Sequence, residues 1–152
     1  MEASASEVSV EDVYFRMLPS EIESVEVVER GALVEFRLKW RGVTFKVRRV
    51  RVAGSVASVE ERGRMVEVLL SGETGNVRVR AWDEDAERLA KLKPGDRVEV
   101  LGTLRVYRGE MYVALALLRS ITAEGLKRYR EMAERDRRMI LKYRLSRRVA
   151  SA

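Results

Sequence analysis

The chain of 152 residues contains neither cysteine nor histidine. These absences exclude disulfides, the Cys/His ligand sets of zinc fingers and a thiol nucleophile. They also exclude a Ser–His–Asp triad and an imidazole base working near neutral pH. Only carboxylate-based chemistry stays open, and most acidic residues alternate with basic ones, as on a solvated surface. The composition therefore predicts a protein without enzymatic activity and without a metal or other cofactor.

Long apolar segments are also missing. The run at residues 113–118 is far shorter than the ~20 residues that a membrane span requires. The first seven residues, Met1–Glu7, have neither the basic region nor the apolar stretch of a secretory signal. We therefore expect a cytoplasmic protein without membrane contact, and nothing in the sequence indicates a small-molecule substrate.

Positive charge is abundant and unevenly distributed. Residues 1–29 carry a net charge of −7, residues 30–121 of +7 and residues 122–152 of +6. Arginine outnumbers lysine 24 to 6, and guanidinium groups both stack on bases and fork onto phosphates. Genome composition or life at high temperature is an alternative explanation of the ratio. The charge gradient itself is typical of a polyanion-binding protein.

The apolar pattern predicts a mostly β chain in five parts. Residues 1–23 are expected to form an acidic flexible arm, which either keeps the protein soluble or occupies a basic groove. A β-hairpin extension follows at 24–42, where Val34, Phe36, Leu38 and Trp40 alternate with charged residues. The remaining parts are a barrel at 43–121, a long helix at 122–147 capped by Thr122, and a tail at 148–152.

The barrel segment has the element order of a known architecture. The expected elements are strands at 43–60, 64–70 and 76–82, a short helix at 84–92 that Asp83 can cap, and strands at 97–107 and 110–121. Gly54 is expected to form a bulge that bends the first strand. Three strands, one helix and two strands are the order of the OB-fold, a five-stranded Greek-key barrel.

Residues 50–122 resemble a known family on three sequence motifs. They are Val-Ala-Gly-Ser-Val at 52–56, Gly-Glu-Thr-Gly-Asn-Val-Arg-Val-Arg-Ala-Trp at 72–82 and Pro-Gly-Asp-Arg-Val-Glu-Val-Leu-Gly at 94–102. The segment is similar to the OB domains of replication protein A, in particular its middle subunit, and of related telomere-capping subunits. The helix after the barrel fits as well, whereas the hairpin at 24–41 departs from that pattern. The resemblance implies non-catalytic binding of single-stranded DNA within a multi-subunit assembly.

Candidate binding residues lie first on the third barrel strand. Alternation directs Val77, Val79 and Ala81 inward and places Arg78, Arg80 and Trp82 on the outer face, which OB barrels present to oligonucleotides. Arginines there would contact phosphates, and tryptophan would stack on bases. An alternative role for Trp82 is to plug the end of the barrel beside the short helix.

Further candidates lie in loops and on the first barrel strand. The hairpin between the last two strands offers Arg105, Tyr107, Arg108 and Tyr112, although a cross-strand tyrosine pair would stabilise any hairpin. The loop after the first strand adds Arg62 and Arg64. Arg49 and Arg51 belong to a basic cluster on the first strand that could follow phosphates.

The C-terminal helix carries an apolar stripe that predicts a packing partner. Its residues are Leu126, Tyr129, Met132, Ala133, Met139, Ile140 and Tyr143. The stripe fits either a partner protein or the chain's own barrel, and residues 144–148 could instead form a basic tail that contacts phosphates. The leading hypothesis is sequence-tolerant binding of single-stranded DNA. The alternatives are a scaffold subunit that mainly binds partner proteins, and an RNA-binding OB module.

Overall fold

The computed structural model describes residues 7–151, with side chains described for residues 7–144. Ten strands and four helices follow one another in this described part of the chain. They are β1 (Glu7–Ser9), β2 (Tyr14–Arg16), α1 (Pro19–Glu23), β3 (Glu26–Arg30), β4 (Leu33–Trp40), β5 (Val43–Val47), β6 (Arg49–Arg62), β7 (Met65–Ser71), β8 (Asn76–Trp82), α2 (Glu84–Ala90), β9 (Arg97–Tyr107), β10 (Glu110–Ser120), α3 (Ala123–Lys127) and α4 (Tyr129–Ser151). The mostly β class predicted from the sequence is confirmed.

Strands β6 to β10 form the OB-fold barrel. Their order is β6-β7-β8-β10-β9, and a further pairing of β6 with β9 joins the two ends of this sheet. The parallel pairing of β8 with β10 is short, with Val113 opposite Val79 and Ala114 opposite Arg80. Alternate residues of each strand fill the interior, among them Val50, Val68, Val79, Val100 and Leu104. The predicted OB-fold is confirmed.

Glycine permits two close approaches of backbone inside the barrel. A Cβ atom on Gly54 would lie 2.8 Å from the carbonyl oxygen of Ser71, and one on Gly102 would overlap the carbonyl oxygen of Ala114. The β6–β7 register shifts between Val56 and Ser58. The predicted bulge at Gly54 therefore lies a few residues further on, and Gly54 instead makes room for the neighbouring strand.

The short helix α2, which comes between β8 and β9 in the chain, packs against the barrel. Its side chains Ala86 and Leu89 are buried, as expected for an amphipathic helix on an apolar surface. The helix ends at Ala90 rather than at Leu92, and Asp83 has a φ of 56° with no side-chain capping hydrogen bond. Asp83 therefore occupies the predicted N-cap position, but its side chain does not make the capping hydrogen bond.

A second, four-stranded sheet lies beside the barrel in the order β1-β5-β4-β3. The predicted hairpin is its β3–β4 pair, but β5 continues antiparallel to β4 after the turn at Gly42. Residues 43–47, which the sequence assigned to the barrel, thus belong to this sheet. Its inner face is apolar and buries Phe45 against Phe15, with 4.9 Å between their ring centroids.

Residues 7–23 do not form the flexible arm that the sequence predicted. Strand β2 pairs in parallel with the start of β6, and β1 pairs in parallel with β5. The segment buries Val10, Phe15, Met17 and Ile22 completely or nearly so. The prediction of a flexible arm rested on the acidic composition. The four apolar side chains that anchor the segment are spaced among charged residues and therefore give no strong local signal. Residues 1–6 lie outside the described part of the chain.

The chain ends in two consecutive helices. The Thr122 hydroxyl accepts a hydrogen bond from the Gly125 amide at 2.9 Å, which confirms the predicted cap. A break at Arg128 separates α3 from α4, and α4 continues to Ser151 rather than ending at 147. The predicted tail at 148–152 therefore overlaps α4, and its side chains lie outside the described residues. Among the residues that the structure describes, no helix is long and apolar enough to span a membrane.

Candidate nucleic-acid interface

The outer face of β8 carries three of the predicted binding residues. Val77, Val79 and Ala81 are buried in the barrel, whereas Arg78, Arg80 and Trp82 point away from it. Strand β7 lies opposite, with Glu67 paired to Arg80 and Leu69 paired to Arg78 in the antiparallel register. The period of two residues thus places two arginines and a tryptophan in one row.

Arg80 is not a free cation, although it lies on the outer face. Its Nε donates to Glu67 at 2.7 Å, and its Nη2 donates to Glu110 at 2.8 Å. Burial alone would lower the pKa of the Arg80 guanidinium, but these hydrogen bonds raise it above its ordinary value. In the absence of a ligand Arg80 is therefore an anchored ion pair rather than an open phosphate contact.

Aromatic rings continue this surface. The Arg80 guanidinium lies 4.6 Å from the ring centroid of Tyr112, and Trp82 meets Tyr112 edge to face at 5.9 Å. Tyr112 is buried, but 42% of the Trp82 surface is exposed. Trp82 is therefore the ring that can stack on a base, and Tyr112 supports it from beneath instead of contacting bases as predicted.

The tip of the β9–β10 hairpin presents a second aromatic and basic group. Tyr107 is 58% exposed, and the Arg108 guanidinium lies 5.2 Å from its ring centroid. Arg108 and Gly109 both have positive φ, as a tight hairpin turn requires. Within residues 7–144, neither Arg105 nor Arg108 forms an ion pair. These cations are thus available to a polyanion.

The remaining predicted binding residues divide into exposed and engaged groups. Arg62 and Arg64 are exposed at the β6–β7 turn, and each lies within 3.9 Å of a carboxylate, from Glu60 and Asp83 respectively. Arg49 is exposed, with its guanidinium 5.8 Å from the ring centroid of Tyr14. Arg64 borders the Trp82 row, because its carbonyl accepts a hydrogen bond from the Asp83 amide at 3.0 Å and Met65 is the cross-strand partner of Trp82. Arg49 lies at the start of β6.

Arg51, by contrast, belongs to a buried cluster beneath the C-terminal helix. Glu99 accepts hydrogen bonds from Arg51 at 2.8 Å, from Arg119 at 2.7 Å and from the Tyr129 hydroxyl at 2.6 Å. Burial alone would raise the pKa of Glu99, but these three donors lower it to about 2. Burial and the bond to Glu99 raise the pKa of Tyr129. Arg51 is therefore held by Glu99 in this structure, and its phosphate contact stays a prediction.

The predicted partner surface on the helix is mostly covered by the chain itself. Tyr129 and Ala133 are buried, while Leu126, Met132 and Ile140 are half-buried. Met139 and Tyr143 are exposed. The first half of the stripe thus packs in cis, the alternative that the sequence left open, and only its distal part remains accessible.

Sequence reasoning missed Arg137, which holds the helix to the N-terminal segment. Its side chain is 1% exposed and makes two hydrogen bonds of 2.7 Å to Glu21 and one of 2.9 Å to the carbonyl of Arg16. The guanidinium also lies 5.1 Å from the Phe15 ring centroid. Its spacing of four residues from Ala133, itself four from Tyr129, was the signal that could have placed it on the buried face.

Three acidic residues of the described N-terminal segment pair with arginines outside the candidate interface. Glu21 binds Arg137, Glu11 lies 3.9 Å from Arg48, and Glu7 lies 3.7 Å from Arg37. These three acids pair on the helix and on the four-stranded sheet. The described part of the chain contains no group of three or more acidic side chains that could hold a metal ion.

Comparison with known proteins agrees with this architecture. Residues 50–124 match the family model of the OB-fold nucleic acid binding domain. A curated relative from Thermofilum pendens, described as an uncharacterized 18.7 kDa protein in a ribosomal RNA operon, is 30% identical over 129 residues. The match covers 83% of this chain and 75% of the relative. The chain belongs to the same family. In this chain the OB-fold nucleic acid binding domain carries helical and β extensions.

Two solved structures have the same fold over most of the chain. One is a chain of the S. pombe Stn1–Ten1 complex, with a TM-score of 0.70, 16% identity and coverage of 86% of this chain and 96% of that one. The other belongs to a replication protein A heterotrimer bound to ssDNA, with a TM-score of 0.64, 22% identity and coverage of 82% and 98%. The predicted likeness to OB-fold subunits of these two kinds is thus confirmed at the level of the fold.

Proposed function

We propose that the protein binds single-stranded DNA without sequence preference and without catalysis, as an OB-fold subunit of a replication protein A-like complex. Such a subunit would act inside the cell, in replication, repair or recombination. The observation that carries the proposal is the row on β8, where an exposed Trp82 rests on Tyr112 beside Arg80 and Arg78. A ring and cations on one face suit the alternating bases and phosphates of an unpaired strand.

Two further observations support this function. The unpaired cations Arg105 and Arg108 and the exposed Tyr107 lie on the hairpin tip that follows the same face. A structural neighbour over most of the chain comes from a heterotrimer bound to ssDNA. The distal part of α4, with Met139 60% exposed beside Val13, is the surface that we assign to a protein partner.

The relative's place in a ribosomal RNA operon favours RNA as the second candidate ligand. Nothing on the β8 face distinguishes the two nucleic acids, because stacking and phosphate contacts do not involve the 2′-hydroxyl. The experiment for the proposed function therefore includes both ligands.

Fluorescence anisotropy of the purified full chain with oligo-dT, oligo-U and duplex DNA, at two salt concentrations, tests the proposal. We expect oligo-dT to bind more tightly than duplex, with log affinity falling by about 0.7 per neutralised phosphate for each tenfold rise in salt. Tighter binding of oligo-U would favour the RNA module. Equal affinity for duplex and single strands, or only weak binding of all three, would contradict the proposal, and weak binding would favour the scaffold subunit.

A further inference from the structure

One carboxylate on the candidate interface bridges two arginines. Glu110 accepts a hydrogen bond from Arg80 at 2.8 Å through Oε1, and its Oε2 lies 3.9 Å from Nη2 of Arg78. The two arginines are separated by one residue on the same face of β8. Two guanidinium groups thus converge on one anion, which offers a separate oxygen to each of them.

The two carboxylates that bind Arg80 differ in burial. The Glu67 side chain is 11% exposed and holds Nε of Arg80 at 2.7 Å. The Glu110 side chain is 50% exposed and binds the outer nitrogen Nη2. Hydrogen bonds from Arg80 and the charge of Arg78 lower the pKa of Glu110, so it is an anion at neutral pH. Glu67 therefore fixes the orientation of Arg80, whereas Glu110 can leave at little cost in burial.

The backbone brings Glu110 to this position. It is the first residue of β10, directly after the tight turn at Arg108 and Gly109. The exposed rings of Tyr107 and Trp82 lie on the two adjoining strands, since Tyr107 is the cross-strand partner of Glu110 and Trp82 ends β8. Exposed rings that can stack on bases thus lie on both strands that adjoin β10, where the bridging carboxylate begins the strand.

We propose that Arg78 and Arg80 form a binding site for one phosphodiester group of a nucleic acid strand, and that Glu110 occupies this site until the phosphate displaces it. The inference rests on the proposed function and assigns a residue-level mechanism to it. The phosphate and the carboxylate each present two oxygens to a guanidinium group. On binding, the carboxylate of Glu110 turns to solvent, while Glu67 keeps Arg80 in place.

Competition by Glu110 sets the affinity of the interface. A strand that enters must replace an existing ion pair and then lies near a displaced like charge, which weakens binding. Removal of the negative charge of Glu110 should therefore tighten nucleic-acid binding, even though the Glu110–Arg80 ion pair is a contact within the folded protein.

The test compares Glu110→Gln with Glu131→Gln by anisotropy titration of labelled oligo-dT. Both substitutions change the net charge by the same amount, but Glu131 lies on α4 and pairs with Arg128 at 3.5 Å. We expect Glu110→Gln to bind about tenfold more tightly than wild type, because a like charge at the phosphate site is removed. Glu131→Gln should bind with nearly wild-type affinity. Thermal unfolding of each variant checks that the fold is retained.

A double variant separates the phosphate site from a general charge effect. Arg78→Gln removes one of the two guanidinium groups of the proposed phosphate site and leaves the Arg80–Glu67 pair in place. In that background Glu110→Gln should tighten binding by clearly less than in the wild type. An equal gain in affinity in both backgrounds would overturn the proposed two-arginine phosphate site, although Glu110 would still oppose binding.

The outcomes distinguish the inference from the proposed function. If wild type prefers oligo-dT to duplex but Glu110→Gln binds with unchanged or lower affinity, the phosphate site is wrong and the proposed function stands. If wild type and Glu110→Gln both fail to bind any single strand, the proposed function and the inference are both wrong. Equal tightening by Glu110→Gln and Glu131→Gln would also overturn the inference.

Discussion

Two arginine–carboxylate clusters lie on the barrel, one around Glu99 and one around Arg80, and they differ mainly in what covers them. Around Glu99, two arginines and a tyrosine converge beneath the C-terminal helix, and the carboxylate is 4% exposed. Around Arg80, one carboxylate is buried and the other is half exposed. The chemistry of the groups is nearly the same. Burial by α4 makes the first cluster a structural joint, whereas the open edge of the second leaves it accessible to a ligand.

The joint between the helix and the N-terminal segment is where we expect the largest effect on stability. Arg137→Met removes three hydrogen bonds and leaves Glu21 without its buried partner. Breaking a buried pair in this way costs about 3–5 kcal/mol in the free energy of unfolding. Urea unfolding measures the loss. Arg138→Met, on the exposed side of the same helix, should cost less than about 1 kcal/mol, and a similar loss for both variants would contradict the comparison.

Acid should weaken the covered cluster around Glu99. The pKa of Glu99 is about 2 in the folded protein and near 4.5 when unfolded, so its stabilising contribution is complete above about pH 4.5. It is lost as the pH falls from there towards 2, because the unfolded chain then binds a proton that the folded one does not. About 2–3 kcal/mol of the acid-dependent loss should disappear in Glu99→Gln.

Urea unfolding of wild type and Glu99→Gln at several pH values between 7 and 2 gives this difference directly. The other carboxyl groups with a lowered pKa, Glu35 and Glu110, are present in both proteins and cancel. Parallel curves for the two proteins over this pH range would show that Glu99 is not held as an anion by its three donors.

The open cluster should respond in ligand binding rather than in stability. Trp82→Ala removes the exposed ring, and the loss of one stacked base costs about 1–3 kcal/mol of binding free energy. The salt dependence should stay the same, because no phosphate contact is removed. Leu117→Ala, at another exposed apolar position on the outer face of the barrel, is the matched control. If Trp82→Ala changed the salt dependence of binding without lowering the affinity, the nucleic acid would bind at a different surface of the protein.

The barrel could be predicted from the sequence because its strands carry their own signals. Val77, Val79 and Ala81 alternate with polar residues, and turns at Gly63 and Gly109 separate the long strands. The three-residue strand β2 has no such signal, since its pairing with the start of β6 depends on tertiary packing. Residues 43–47 were assigned to the barrel because nothing local marks the change of sheet at Arg48.

The candidate site was predictable only in part. The two-residue period of the strand predicts the row of Arg78, Arg80 and Trp82. It does not predict that carboxylates neutralise the two arginines. That Glu67 would lie opposite Arg80 depends on the β7–β8 register, and that Glu110 would reach it depends on the parallel β8–β10 pairing. The ion pair of Arg51 was missed for the same reason, since its partner Glu99 lies 48 residues away. Side-chain identity predicts what a residue can bind, whereas long-range pairing decides whether it is free to do so.

The contacts of α4 with residues 7–23 have a consequence for folding during translation. Arg137 holds Glu21, and Arg144 lies 3.9 Å from Asp12 and 3.0 Å from the carbonyl of Ser9. During synthesis the early segment leaves the ribosome long before this helix does. Glu21 and Asp12 therefore stay solvated until α4 is available to pair with them, whereas the partners of Glu7 and Glu11 come earlier in the chain. Complete assembly of residues 7–23 therefore follows the translation of α4.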